Sequence, residues 1–534
     1  MGGVGGGLMA NAYPQAWSNS FNACAKLEQR GVRAGGGLGG GMSIITAVGA
    51  SAMAGALQKP LHSQPDSQAL ANTLWGLSYF DWHDENIIRV LAHAMVQRIN
   101  SSTSQGLSNV LWALAKFEWY DESTVSKLAA GMVEHIDSSE PQGLSNTLWA
   151  LAKLGWYDEG VVSKLAAGVV EHIDSSEPQE FSNVLWALAK FGWYDKGVVS
   201  KLAAGMVERL ASSEPQGLSN TLWALAKFGW YDESVVSKLA AAMVERIDSS
   251  KPQDFSNVLW ALSTLRWYDS GVYDTLLVTL LDKRDQAAPQ DFSNAIYSCA
   301  LASHGGIVVD GLAKVISRQD VSKPRGWMEQ ALANSLYAWS VLGSIGIASD
   351  SLSAMAQHLM LEVNGRGPAA FQSLQLTQLY LAHLVAEQVG LQGGRLSPGK
   401  GGMLQAAAER HLQGQAELQK RAKQSEGAAG VHQAAAALQE AGYEVELGGS
   451  IGQDKFHAEL LVRHESCPRG ITVDILSSAD VFHWPPGQLS GKARQIHAQI
   501  KQRCDGLVVL SEADAKQPGL VVQQVEKTMR GAAM

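Results

Sequence analysis

Three residue types recur along this chain at one spacing, and together they could hold a polyanion. Asn72, Asn109, Asn146, Asn183, Asn220, Asn257 and Asn294 stand 37 positions apart. A glutamine stands four positions before each: Gln68, Gln105, Gln142, Gln179, Gln216, Gln253 and Gln290. Gln330 precedes Asn334 in the same way, in a unit that arrives three residues late. Lys116, Lys153, Lys190 and Lys227 follow the asparagine in the middle units. Amide side chains donate and accept, so they can meet the edges of nucleobases, and lysines can pair phosphates. The residue after each glutamine varies (Gly106, Gly143, Glu180, Gly217, Asp254, Asp291), and so does the residue after each asparagine (Val110, Thr147, Val184, Thr221, Val258). A constant frame with a few variable positions suits one-unit-per-base reading of single-stranded RNA. The same residues admit a plainer reading. Asn and Gln ladders also tie neighbouring helices together, and a lysine in the last turn of a helix complements its dipole.

Trp75, Trp112, Trp149, Trp186, Trp223 and Trp260, then Tyr297 and Tyr337, share the spacing. Their helical angle lies near the polar stripe, where a base could stack; large aromatics at fixed helical spacing otherwise fill the core between repeats. The second pair, Trp156 and Tyr157 with its equivalents, is expected to fill the corner between two helices.

Near the C-terminus, Asp454, Glu459, Asp474 and Lys492 could form a metal-dependent nuclease site, with carboxylates holding the ion and the lysine positioning water. Strand-end and surface charges are the alternative. Lys492, Arg494, Lys501 and Arg503, with no acid between 489 and 503, could touch RNA phosphates or form a solvated face. His483 and His497 are lone histidines and support no metal site. No glycine loop for phosphates and no nucleophile elbow is present, so no cofactor is expected and catalysis is not the favoured reading. The 4 cysteines lie far apart, which gives neither zinc spacing nor a disulfide framework and points to a reducing compartment.

Each unit must place these side chains with two helices. In residues 141–177, Pro141 suits a first helical turn. Asp137, Ser138 and Ser139 offer capping oxygens. Leu144, Leu148, Leu151 and Leu154 recur at helical spacing, and Gly155 suits a left-handed cap. Asp158 can cap the second helix, whose apolar stripe is Val162, Leu165, Ala166, Val169 and Ile173. At about 100° per residue, Gln142, Asn146 and Lys153 share one face, opposite the leucines. One pair cannot bury both stripes, so stacked pairs are expected to form an all-α superhelical solenoid with the polar ladders on its concave face.

The chain has 534 residues and a net charge of −9, which argues against a general polyanion binder and requires the positive charge to be confined to the lysine stripe. We expect a degenerate first repeat with a Gly-rich insert at 1–60, regular repeats at 61–300, degenerate repeats and a cap at 301–388, a linker and helix at 389–441, and a small α/β domain at 442–534. In the last, strands are expected at Tyr443–Leu447, Phe456–Arg463, Ile471–Leu476 and Leu507–Leu510, with helices at 489–503 and 520–530. The apolar run at 42–57 is too short to span a membrane. Lys26, Arg30 and Arg33 in an acid-poor leader are faintly transit-like, but a repeat starting near residue 12 leaves no evident presequence.

The segment PQGLSNTLWALAKLG and its period resemble the octotricopeptide repeat family, and are similar to repeats in FAST-kinase-like RNA proteins; the match covers roughly 65–300. The segment ITVDI, then Phe482-His483-Trp484, then LSGKARQIHAQIKQR, resembles the RAP domain. The first resemblance implies an organelle RNA-binding factor, in chloroplast or mitochondrion, acting in RNA processing, stability or translation. Its partners would be single-stranded RNA and other RNA-processing proteins, with no membrane. The second implies a restriction-endonuclease-like core. The RAP family's usual Asp-Gly-Pro is absent, since Asp474 is followed by Ile475-Leu476, and this removes support for nuclease activity. A protein-binding solenoid scaffold and an RNA endonuclease acting through the C-terminal domain are the alternatives.

Overall fold

Asp158 begins the second helix of its repeat by accepting the Val161 N–H at 2.9 Å. Asp121, Asp195, Asp232 and Asp269 repeat that cap at 2.8–3.0 Å in their own units. The computed structural model describes Gly55, Leu57 and residues 65–532, apart from 81–82, 322–325, 400, 425–428, 453–454, 478–479 and 485–487. The expected first repeat within 1–60, Cys24 and Asp454 lie outside the described residues. Two compact units are divided after Phe228.

The first unit contains α1 (Ser67–Tyr79), α2 (Glu85–Val96), α3 (Ser104–Lys116), α4 (Glu122–Glu134), α5 (Pro141–Leu154), α6 (Glu159–Glu171), α7 (Pro178–Phe191), α8 (Lys196–Glu208) and α9 (Pro215–Phe228). First helices α1, α3, α5, α7 and α9 pack side by side, as do second helices α2, α4, α6 and α8, giving a solenoid-like repeat. Leu144, Leu148, Leu151, Val162, Leu165 and Val169 are fully buried between the two rows. The rows approach closely at Gly168, where an added Cβ would lie 2.9 Å from Leu144.

Gly155 caps α5 at φ 73°, as its residue type requires. The expected side-chain cap at the other end of α5 is not made. Residues Ile136–Ser138 form a 3-10 turn that sends the Ser139 hydroxyl back to His135 O at 2.7 Å, and Glu140 occupies the N-cap position without a side-chain bond. Pro141 at N1 removes one of the donors that would need a cap. Likewise Ile173 lies in a 3-10 turn past the end of α6 rather than in its stripe.

The second unit contains α10 (Glu233–Glu245), α11 (Pro252–Thr264), α12 (Ser270–Asp282), α13 (Pro289–Ala302), α14 (Ile307–Ser317), α15 (Glu329–Ser344), α16 (Asp350–Arg366) and α17 (Ser373–Gln388). Then come α18 (Met403–Gln424) and α19 (Ala429–Glu440), strands β1 (Glu444–Ile451), β2 (Phe456–His464) and β3 (Cys467–Leu476), α20 (Gly491–Lys501), β4 (Gly506–Ser511), α21 (Glu512–Ala515) and α22 (Pro518–Ala532). The sheet order is β1-β2-β3-β4. The first two pairings are antiparallel, and β3 pairs with β4 in parallel through the α20 crossover. Leu460, Val462, Ile471 and Val473 lie in a core with α19 and α22, alternation turns Leu461 the other way, and Leu461 joins Phe456, Ala458 and Ile500 of α20 in a second core. Among the described residues no helix is long and apolar enough to cross a membrane.

Candidate nucleic-acid interface

Within each unit the repeat frame puts a row of polar side chains on the first helices. Gln105, Gln142, Gln179, Gln216 and Gln253 are exposed; Asn109, Asn146, Asn183, Asn220 and Asn257 are half-buried; Lys116, Lys153, Lys190 and Lys227 are exposed. The tryptophans lie between asparagine and lysine on the same face, half-buried. Trp112, Trp149 and Trp186 form a tilted ladder with centroids 6.4 and 6.3 Å apart. Tyr79, at the lysine position of α1, extends it by stacking on Trp112 at 5.3 Å. The Nζ of Lys116, Lys190 and Lys227 lies 5.6, 5.8 and 5.5 Å over the tryptophan of its own helix. Lys153 differs: its partner is Glu118, at 3.4 Å, which stands where later repeats carry a capping glycine.

Between α7 and α9 this face forms a groove of about 330 Å³, lined by Gln179, Ser182, Asn183, Gln216 and Asn220, with Glu177 and Glu214 at its rim. The row is locally basic. Helices α1, α3, α5, α7 and α9 together carry four lysines against one acid, Glu180. Glu180 is turned inward as a helix cap, its carboxylate accepting the Glu177 N–H at 2.6 Å, and burial raises its pKa.

The variable positions do not face the row. Val110, Thr147, Val184, Thr221 and Val258 are fully buried, and the Thr147 hydroxyl donates to Gly143 O at 2.8 Å, so none of them can touch a base. The residues after each glutamine sit in the first helical turn against the preceding repeat. Asp254 and Asp291 cap their helices at 2.9 Å, and Asp291 also accepts the Ser256 hydroxyl at 2.9 Å. Variation there follows capping and inter-repeat fit. The corner is likewise divided: Trp119 is buried and Trp156 half-buried, whereas Tyr120, Tyr157 and Tyr194 stand 48–49% exposed rather than filling it. Tyr157 packs against Phe191 of the next repeat at 5.5 Å.

In the sheet, the pairing of Leu460 with Val473 puts Glu459 opposite Asp474. The Glu459 carboxylate accepts the Ile475 N–H at 2.8 Å. Burial raises its pKa to about 7, against that bond and with added repulsion from Asp474 and Asp480. Asp474 is engaged by His497 Nε2 at 2.7 Å. Lys492 is exposed on α20, and no hydrogen bond or ion pair joins it to Glu459 or Asp474 among the described residues. No group of three or more His, Cys, Asp or Glu there is placed to hold a metal ion. Arg494 and Lys501 are exposed, but Arg503 is packed 4.4 Å over Phe456 and donates to Gln499 O at 2.9 Å, which removes it from a phosphate-binding face.

A cluster in the second unit has no counterpart in the sequence expectations. Arg266 occupies the left-handed cap at φ 56°, where Gly155, Gly192 and Gly229 lie at 73°, 71° and 64°. A residue with a Cβ is strained there, by about 1–2 kcal/mol. Its carbonyl accepts the N–H groups of His483 and Trp484 at 2.7 and 3.2 Å. Its guanidinium donates to His483 Nε2 at 2.7 Å, and the imidazole stacks on Tyr231 at 4.3 Å. The segment 480–484 is thereby latched to the repeats. The one signal in the sequence is the arginine in a glycine's place.

No curated protein matches the chain. Among solved structures, the crystal structure of SYS-1 aligns over 81% of this chain and 88% of that one at 10% identity, with a TM-score of 0.16, too low to bear on fold or function. The family described as RNA-editing substrate-binding complex 8 protein matches residues 55–334. That span is 280 of the 534 residues, more than half, and the chain belongs to this family.

Proposed function

We propose that this chain is an RNA-binding component of an RNA-processing assembly, holding single-stranded RNA on the Gln–Asn–Trp–Lys face of its first helices. The observation that carries this is the row itself. Exposed amides, an aromatic ladder and lysines recur in register on helices nearly free of acid, and the family's description names an RNA-editing substrate-binding complex. Amides would meet base edges, the accessible parts of the tryptophan faces would offer stacking worth about 1–3 kcal/mol per base, and lysines would pair phosphates. The organelle setting rests on the octotricopeptide-like repeat, and fractionation of the cell would test it.

The C-terminal domain is taken as non-catalytic. Its three antiparallel strands followed by a crossover to a parallel fourth support the restriction-endonuclease-like reading of its fold. Its carboxylates, however, are held by Ile475 N–H and His497, and Lys492 stands apart. The scaffold reading is favoured by one observation, the exposed Tyr120, Tyr157 and Tyr194 at repeat corners. Binding of the full chain to a randomised single-stranded RNA pool, across a salt series, separates the two. An enriched motif supports RNA reading, and no retention even at low salt refutes it and leaves protein partners.

A further inference from the structure

The amide rungs are not equivalent along the chain. In the first unit and at α11, the side chains of Gln105, Gln142, Gln179, Gln216 and Gln253 make no hydrogen bond among the described residues. From α13 onward the same positions are tied to one another. Gln290 Nε2 donates to Asn294 Oδ1 at 2.7 Å, and Gln330 repeats this to Asn334 at 2.7 Å. Gln375 Nε2 then donates to Gln330 Oε1 at 3.0 Å, and Gln378 Nε2 to Asn334 Oδ1 at 3.3 Å, both from α17 and both nearly buried.

The rest of the rung changes with them. Tryptophan becomes Tyr297 and then Tyr337, which is buried and packs against Tyr297 at 6.1 Å. The lysine position, eleven residues after the glutamine, becomes Thr264, Leu301 and Val341. At α13 and α15 that end of the rung is covered by the chain itself. A Cβ on Gly491, the first residue of α20, would lie 1.8 Å from Ala300 O and 2.9 Å from Val341 Cγ1, so only glycine fits. Gln495 of α20 donates to Ser340 Oγ of α15 at 2.7 Å and is buried.

We propose that RNA contact is confined to the open rungs within residues 104–264, and that the rungs of residues 289–388 are closed and serve to seat the C-terminal α/β domain. This rests on the RNA-binding function proposed above. Gln330 has its donor and its acceptor both taken by neighbours, and Gln290, Asn294 and Asn334 each have one of the two taken, which leaves less for a base edge, and opening these bonds leaves half-buried polar atoms without partners.

The test compares two variants of the full chain, using RNA enriched from a random single-stranded pool by the wild-type protein. One carries Gln142→Ala, Asn146→Ala, Gln179→Ala and Asn183→Ala; the other carries Gln290→Ala, Asn294→Ala, Gln330→Ala and Asn334→Ala. The first is expected to weaken binding by about tenfold or more with an unchanged melting temperature. The second is expected to bind within about twofold of wild type, since its amides already have partners, and to melt lower. In case the second variant does not fold, ultraviolet crosslinks on the wild-type complex are mapped by peptide. They should fall within 104–264 and be absent from 289–388. Crosslinks in 289–388, or a tenfold loss in a second variant of unchanged melting temperature, overturn the proposal while leaving RNA binding intact. A wild-type chain that enriches no RNA overturns the proposed function, and this proposal with it.

Discussion

Replacing Lys116, Lys153, Lys190 and Lys227 together by glutamine should flatten the salt dependence of RNA binding by an amount that the structure sets. For single strands, log K falls with log salt at about 0.7 per neutralised phosphate. Four phosphate contacts give a slope of about 2.8. Lys153, however, already faces Glu118 at 3.4 Å, whereas the other three lie over the tryptophan rings of their own helices. With that charge offset, three contacts give about 2.1. Between 50 and 200 mM salt these slopes correspond to losses of about 50-fold and about 20-fold in affinity. Filter binding or fluorescence anisotropy with one selected RNA, at five or six salt concentrations, resolves the difference. The expected result is a fall in slope of about 2 in the quadruple variant. Glu118→Gln alone should then raise the wild-type slope by about 0.7. An unchanged slope in the quadruple variant, with affinity reduced or not, refutes phosphate pairing on this row.

Glu459→Gln should stabilise the C-terminal domain above neutral pH. The folded domain holds this proton up to about 7, against an ordinary 4.5, so stability is lost as pH rises through that interval; at about 1.36 kcal/mol per unit the cost above pH 8 is about 3 kcal/mol. Hydrogen exchange of β2 and β3 amides at pH 5 and pH 8 reads it, and an identical pH slope in both proteins would sink it. Arg266→Ala should loosen the loop at 480–484 by about 1.5–3 kcal/mol through loss of the guanidinium bond to His483, seen as faster proteolytic nicking there; nicking at the wild-type rate would refute the latch. Burial, with repulsion from Arg266, lowers the His483 pKa, so the same loop should nick faster as pH falls below about 6.5 and not above it. Thr147→Val should leave the selected RNA motif unchanged, because the side chain is buried; a changed motif would restore that position as a reader.

Much of the fold was legible because each unit repeats the same local physics. Pro141, Gly155 and Asp158 mark helix ends by properties that act within a few residues, and all three behave accordingly. Strands β2, β3 and β4 follow from short apolar runs within a residue or a few of their observed bounds. The burial of Thr147 and Val184 was also available from the sequence. One residue past the asparagine turns about 100° away from the polar face, toward the neighbouring helix. Other features were not available. Ser139 looks like a cap until the 3-10 turn redirects it. Arg266 is visibly out of place in the repeat, but its partner His483 lies 217 residues away. Gln253 and Gln290 have the same sequence surroundings, Pro before and Asp-Phe-Ser-Asn after, yet only the second is tied to its asparagine. What distinguishes them is packing around the rung, which no local pattern records.

The net charge of −9 and the RNA reading are reconciled by where the charge sits. In the first unit, the first helices carry four lysines and the inward-turned Glu180, while the second helices carry six acids against five bases. Most remaining acid lies in the connecting turns, including Glu140, Glu177 and Glu214 just ahead of the glutamines. Eleven residues separate Gln142 from Lys153, about 16 Å along the helix at 1.5 Å per residue. At physiological ionic strength a charge is felt over about 8 Å, so the lysine end and the acid end of a rung act as separate electrostatic environments. Phosphates are repelled from the glutamate rim and attracted to the tryptophan–lysine end, so on this reading the RNA backbone runs along the lysines and its bases point toward the amides. Carboxylates at the rim then oppose the reversed orientation, and an acidic protein can hold a polyanion in one sense across its helices without a basic surface overall.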